Sequence, residues 1–165
     1  CPAFDKKTEE LGKWMAQNHH TLVYGGGNTG LMGVVATAVM NEGGKVIGVM
    51  PQFFVDREIA KQDITKLHIV DTMSERKNQM IALSEVYIAL PGGPGTLEEI
   101  AEVVSWVRVG QTNGICIFYN MEGYYDHLEA FFDKMVETNL LSIDDRSQIH
   151  FAKTLVEIEA IIELV

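Results

Sequence analysis

Among the charged residues that stand where a strand is expected to hand over to a helix are Arg76, Lys77, Glu98 and Glu99. The stretch Val86–Glu99, VYIALPGGPGTLEE, contains two of them. Val86–Leu90 is an apolar run without charge, the length of a buried strand, and Pro91 ends it. Gly92, Gly93 and Gly95 let the backbone turn tightly and approach a ligand without a Cβ in the way. Thr96 reads as the helix N-cap, with Glu99 at capping-box spacing. A glycine turn leading into a helix gathers unpaired N–H groups at the positive end of a helix dipole, which is the chemistry of a phosphate site. No Lys follows the last glycine, so the loop is not a Walker A loop. Capping accounts for Glu99, and a general liking of acids for helix N-termini accounts for Glu98. Carboxylates beside an anion site would nonetheless have to face another part of the ligand, such as a sugar hydroxyl, a water or a developing cation.

A second glycine turn, Gly25-Gly26-Gly27-Asn28-Thr29-Gly30, follows the short strand Thr21–Tyr24. Gly25-x-Gly27-x-x-Gly30 matches the dinucleotide fingerprint, but the next strand, KVIGVM, ends in Met50 and Pro51 rather than in the acid that holds a ribose. A phosphate or mononucleotide fits better than NAD; a turn with no ligand is the plainer alternative. In the third stretch, DTMSERK, Ser74 is expected to cap a helix with Arg76 and Lys77 in its first turn. Cations there oppose the helix dipole unless an anion lies in front, and Arg suits bidentate phosphate contact. A solvated charged turn explains Lys77 equally well.

The elements that must position these residues alternate. Helices are expected over 5–18, 31–41, 74–83, 97–109, 124–139 and 155–164, and strands over 21–24, 45–50, 67–70, 86–90 and 115–119. Residues 52–66 are polar and irregular, with room for a short helix. The alternation predicts a single α/β domain: a doubly wound, Rossmann-like parallel sheet with the three turns at the carboxyl ends of its strands. In the helix after PGGPGT, only Glu99, Glu102, Ser105 and Arg108 interrupt the apolar surface, which predicts burial on more than one side and a symmetric homodimer with Trp106 covered.

Composition narrows the function classes. The chain is 47% hydrophobic and 22% charged, in the range of a globular domain, with no apolar run long enough to span a membrane. A net charge of −10 argues against nucleic acid and anionic membranes as partners. Cys1 and Cys116 suit neither a disulfide framework nor a zinc site, which predicts a reducing, cytoplasmic setting. The five histidines show no metal spacing, and no nucleophile-elbow pentapeptide is present, so neither a metal nor a cofactor is expected.

Taken together, PGGPGTLEE, GGGNTGLMG and MSERK resemble the three signatures of the LOG (Lonely Guy) family, in order and over essentially the whole chain. The resemblance implies a Rossmann-like dimer. It implies a phosphoribohydrolase that cleaves the N-glycosidic bond of cytokinin riboside 5′-monophosphates, and in bacteria often of AMP, releasing free base and ribose 5-phosphate. It assigns Arg76 and Glu99 as the catalytic pair. The glycine turns, with Gly26, Gly27, Asn28, Thr29, Gly30, Lys77, Gly92, Gly93, Gly95, Thr96 and Glu98, would bind phosphate and ribose. The family opens with a strand and a small-residue turn before its first helix, whereas this chain begins at Cys1-Pro2, so that strand is expected to lie outside it. Pro94 stands where an aromatic is common and Ser74 where His is common, which leaves the base preference open. Many members carry a lysine-decarboxylase label. That chemistry needs pyridoxal phosphate on a lysine; Lys77 is the sole lysine in the three motifs, and nothing in them supplies a partner for the ring nitrogen. The rival class is a nucleotide or phosphate-cofactor carrier on the same fold, which would not need the Arg76 and Glu99 pair.

Overall fold

The computed structural model describes residues 1–57 and 60–164. The chain forms two compact units, Cys1–Ser84 and Glu85–Val165. The α/β class and the parallel strands are as the sequence predicts.

The first unit contains α1 (Pro2–Gln17), β1 (Thr21–Tyr24), α2 (Gly30–Asn41), β2 (Lys45–Pro51), the short α3 (Gln52–Val55), β3 (Lys66–Val70) and α4 (Met73–Ala82). Its sheet is parallel, in the order β1-β2-β3, with Tyr24 opposite Gly48 and Pro51 opposite Val70. The central strand β2 is the most deeply buried: Val46 and Val49 are inaccessible to solvent. α1 begins at Pro2, three residues before the expected Asp5, because proline's fixed φ suits a first helical position. α1 and α2 meet closely at Gly12, where an added Cβ would lie 2.6 Å from the Ala38 Cβ. Ala16, Tyr24, Ala36, Val39 and Val46 form a core cluster there. α2 stops where Gly43 takes φ +74° and the Gly44 N–H donates to Val39 O at 2.9 Å, closing the last turn.

The second unit contains β4 (Val86–Ala89), α5 (Pro94–Arg108), β5 (Ile115–Tyr119), a 3-10 turn at Met121–Gly123, α6 (Asp126–Glu137), α7 (Ile143–Ser147), β6 (Ile149–Ala152) and α8 (Leu155–Glu163). Its sheet is also parallel, in the order β4-β5-β6, with Cys116 opposite Ile149. Sequence reasoning missed β6 and α7: four residues interrupted by His150, IHFA, carry too little periodicity to register as a strand. Tertiary packing holds β6 in place, for Phe151 stacks on Phe118 of the central strand at 4.7 Å. α5 buries Ile100 and Val103, while Leu97 and Val109 are 46% and 64% exposed and Trp106 is half-buried. Among the described residues, no helix is long and apolar enough to cross a membrane.

Candidate active site

The first glycine turn begins where β1 ends. Tyr24 is buried and its hydroxyl donates to Gly27 O at 2.9 Å, folding the turn back on the strand that leads into it. Burial, with the Asp63 carboxylate adding to it, pushes the Tyr24 hydroxyl up to about 12, so it stays a donor at neutral pH. Gly26 takes φ +84° and Gly30 φ +61°, backbone that side chains with a Cβ seldom adopt. Asn28, Thr29 and Gly30 are exposed, and Thr29 is the N-cap of α2. The first intrahelical donor of α2 is Gly33, to Thr29 O at 3.3 Å, so the N–H groups of Gly30, Leu31 and Met32 have no acceptor within the helix.

Arg76 lies at this turn and is 8% exposed. Its Nε donates to Val49 O at 2.9 Å and its Nη2 to Gly25 O at 2.6 Å, so the guanidinium ties the end of β2 to the start of the glycine turn. An added Cβ at Gly25 would lie 1.9 Å from Nη2, which is why position 25 must be glycine when Arg76 is seated. The element behind Arg76 differs from the expectation in one detail. Thr72, not Ser74, caps α4: its Oγ1 accepts the Glu75 N–H at 3.1 Å, and Glu75 Oε2 accepts the Asp71 N–H at 2.9 Å. The hydroxyl two residues earlier has the extended backbone that an N-cap requires. Lys77, the next residue along the helix, is half-buried.

The irregular segment before β3 folds over the same turn. Ala60 forms an antiparallel bridge with Gly27, and the Lys61 N–H donates to Gly26 O at 2.9 Å. The Lys61 ammonium, 8% exposed as a residue, pairs with Asp63 at 2.9 Å and reaches Asn28 Oδ1 at 3.4 Å. Lys61 holds the Asp63 carboxyl below its usual range. Sequence reasoning did not single out Lys61 or Tyr24; the only signal was the length of the polar segment that carries the lysine.

The second glycine turn is built differently. α5 starts at Pro94, with Gly93 as N-cap and no side chain capping it among the described residues. Thr96 is therefore the third residue of the helix rather than its cap, and Glu98 and Glu99 are the fifth and sixth. Proline at the first helical position moves the start three residues back from where a Thr cap would put it. The capping box expected at Thr96 and Glu99 does not form, and the capping explanation of Glu99 falls with it. Glu98 is exposed and Glu99 half-buried. At Gly92 an added Cβ would meet Thr96 Oγ1 at 2.3 Å, so that glycine is fixed by the fold. Around Gly93 and Gly95, among the described residues, no heavy atom beyond the adjoining backbone comes within 4 Å of such a Cβ. The N–H groups of Gly95 and Thr96 precede the first intrahelical donor, Leu97, and Pro94 has none.

Two residues outside the predicted set hold this turn. The Tyr124 hydroxyl donates to Gly92 O at 2.5 Å and the Tyr125 hydroxyl to Leu90 O at 2.6 Å. The signal for them was the polar NMEGYY stretch after β5, itself another strand end on the carboxyl edge of the second sheet.

The chain is similar to known proteins along most of its length. A family model described as "Possible lysine decarboxylase" matches residues 32–162. A cytokinin riboside 5′-monophosphate phosphoribohydrolase of Arabidopsis thaliana is 44% identical over 133 residues, covering 81% of this chain and 62% of its own length. A second from the same plant is 40% identical over 149 residues, covering 90% of this chain and 69% of its own length. The chain thus spans from about three fifths to two thirds of the length of these two relatives. The molybdenum cofactor carrier protein of Chlamydomonas reinhardtii shares the fold, with a TM-score of 0.75 at 21% identity over 99% of this chain and 88% of that one. With the model spanning most of its length and relatives of this name at these identities, the chain belongs to the LOG family, whose model carries the lysine-decarboxylase description.

Proposed function

We propose that this protein hydrolyses the N-glycosidic bond of a nucleoside 5′-monophosphate, a cytokinin riboside 5′-monophosphate or AMP, to free base and ribose 5-phosphate. The observation that carries the reading is the open flank of Gly93 and Gly95 at the N-terminus of a 15-residue helix. Among the described residues, neither glycine is required by a positive φ or by a neighbouring atom, and Gly95 weakens the helix in whose first turn it lies. Close approach by an anionic ligand gives both a reason to be there. The Arabidopsis relatives named for the same activity support the substrate class.

In the reaction, water adds to the anomeric carbon, the carbon–nitrogen bond breaks, and its electron pair leaves with the base, which takes up a proton. Positive charge builds on the sugar meanwhile, as in glycoside hydrolysis. Glu99 is assigned to stabilise that charge or to activate the water, and Arg76 to hold the phosphate or the ribose hydroxyls. The glycine turns, with Asn28, Thr29, Lys77, Thr96 and Glu98, are assigned to the phosphate and ribose. Arg76 suits its role because its guanidinium is already seated on two backbone carbonyls and need not be ordered on binding.

The test is base release followed by chromatography. AMP should react and adenosine far more weakly, since the phosphate anchors the substrate. Glu99→Gln should fold and bind ribose 5-phosphate yet lose nearly all turnover. A fully active Glu99→Gln protein would remove Glu99 from the mechanism and shift attention to Glu98. No base release from any nucleoside monophosphate would favour the carrier reading. The same proposal includes a cytoplasmic homodimer joined through residues 97–109, for which the exposed Leu97 and Val109 provide apolar surface. Light scattering that finds a monomer would remove the dimer. Val103 is no test of it, being 4% exposed within its own chain.

A further inference from the structure

The turn Pro91-Gly92-Gly93 holds no large side chain, and its shape is imposed from the loop after β5. That loop is anchored at Asn120, which is 1% exposed. The Asn120 N–H donates to Ala152 O at 2.7 Å, its Nδ2 donates to Asp126 Oδ1 at 2.7 Å, and its Oδ1 accepts the Tyr125 N–H at 2.6 Å. Glu122 at φ 51° and Gly123 at φ 72° reverse the chain between the anchor and the two tyrosines. Tyr125 is buried edge-on against Phe118 at 5.2 Å, and Tyr124 packs edge-on against Tyr125 at 5.0 Å. The hydroxyls end on Leu90 O and Gly92 O.

The two bonds have different consequences. A peptide unit is planar and trans, so fixing a carbonyl fixes the following N–H on the opposite side. Behind Leu90 O that residue is Pro91, which has no N–H to aim. Behind Gly92 O it is Gly93, the N-cap of α5, where among the described residues a Cβ would meet no atom beyond the adjoining backbone within 4 Å. We propose that Tyr124 is a positioning residue for the substrate phosphate: its hydroxyl holds Gly92 O and so turns the Gly93 N–H toward the anion. Tyr125 holds the strand end in place and aims no donor. Both statements rest on the phosphoribohydrolase reading.

The experiment compares the wild type with Tyr124→Phe and Tyr125→Phe. Tyr124 is 46% exposed, so Tyr124→Phe removes an oxygen from a ring that tolerates the change. In Tyr124→Phe, KM for AMP should rise about tenfold, the loss of one hydrogen bond to a charged group, with kcat within about twofold. The kcat/KM for adenosine, which has no phosphate, should stay at the wild-type value. Tyr125→Phe should lower Tm yet keep the wild-type ratio of AMP to adenosine. An unchanged KM for AMP in Tyr124→Phe, or an equal loss with both substrates, would overturn the assignment while leaving the proposed reaction intact. If the wild type releases no base, the reaction reading fails on its own, and calorimetric titration with ribose 5-phosphate still decides Tyr124: about tenfold weaker binding in Tyr124→Phe supports it, and equal binding overturns it.

Discussion

The two glycine turns, GGGNTG and PGGPGT, are spelled almost alike, yet their glycines answer to different constraints. In the first turn the chain itself uses them. Gly25 makes room for the Arg76 guanidinium, Gly26 and Gly30 take left-handed backbone, and at Gly33 just beyond an added Cβ would lie 2.5 Å from Asn28 O. In the second turn only Gly92 is committed to packing, against Thr96, and Gly93 and Gly95 face open space. The holding devices differ in the same way. A strap through Ala60 and Lys61 covers the first turn, whereas the second is held from behind by tyrosine hydroxyls on two carbonyls. A glycine motif therefore reports close approach without saying whether the approaching group is the protein's own side chain or a ligand. Here the first turn seats the Arg76 guanidinium, and in the proposed reaction the open second turn is the one assigned to an anion.

The comparison breaks most visibly at Gly25. Gly25→Ala drives a methyl into Arg76, and displacing that guanidinium strips a buried charge of two backbone acceptors. Stability should fall by about 3–5 kcal/mol in urea denaturation, and base release should be lost with it. A Gly25→Ala protein of normal stability would show that Arg76 does not need its seat.

Gly95→Ala should do the reverse to stability. The position is helical with negative φ and open surroundings, so alanine should stabilise the protein by about 0.5–1 kcal/mol. Base release should nevertheless drop tenfold or more, because the methyl occupies the ligand's side of the turn. Opposite signs of stability and activity are the mark of a glycine kept for a ligand. Unchanged turnover in Gly95→Ala would move the phosphate away from this turn.

The smallest effect, seen in alkali, sharpens the one feature the turns share, a buried tyrosine behind each. Burial pushes Tyr24 and Tyr125 each up to about 12, with the nearby Asp63 and Tyr124 adding to the shift. A folded-state value above the unfolded value of about 10 means that the fold favours the protonated hydroxyl. The stabilisation is complete below about pH 10 and is lost as pH rises through about 12. Urea denaturation across that window should show the decline, and Tyr24→Phe or Tyr125→Phe should each flatten part of it. A decline as steep as the wild type's in both variants would assign it to other groups.

By itself the sequence determined the α/β alternation, the two glycine turns and the family, because these depend on local signals: apolar runs, glycine and proline spacing, and motifs read in order. The same motifs single out Arg76 and Glu99 as candidates. Helix starts were less legible. Thr96 and Ser74 look like caps in one dimension, but Pro94 and Thr72 begin the helices earlier, since a cap is decided by backbone angles and not by residue type alone. Tertiary structure alone decided which glycines are filled. That Gly25 lies against a side chain 51 residues away, or that Tyr124 reaches Gly92 across 32 residues, follows from strand pairing and packing. β6 is the plainest case: IHFA is a strand because Phe118 and Phe151 stack and Cys116 pairs with Ile149, contacts that no window of the sequence contains.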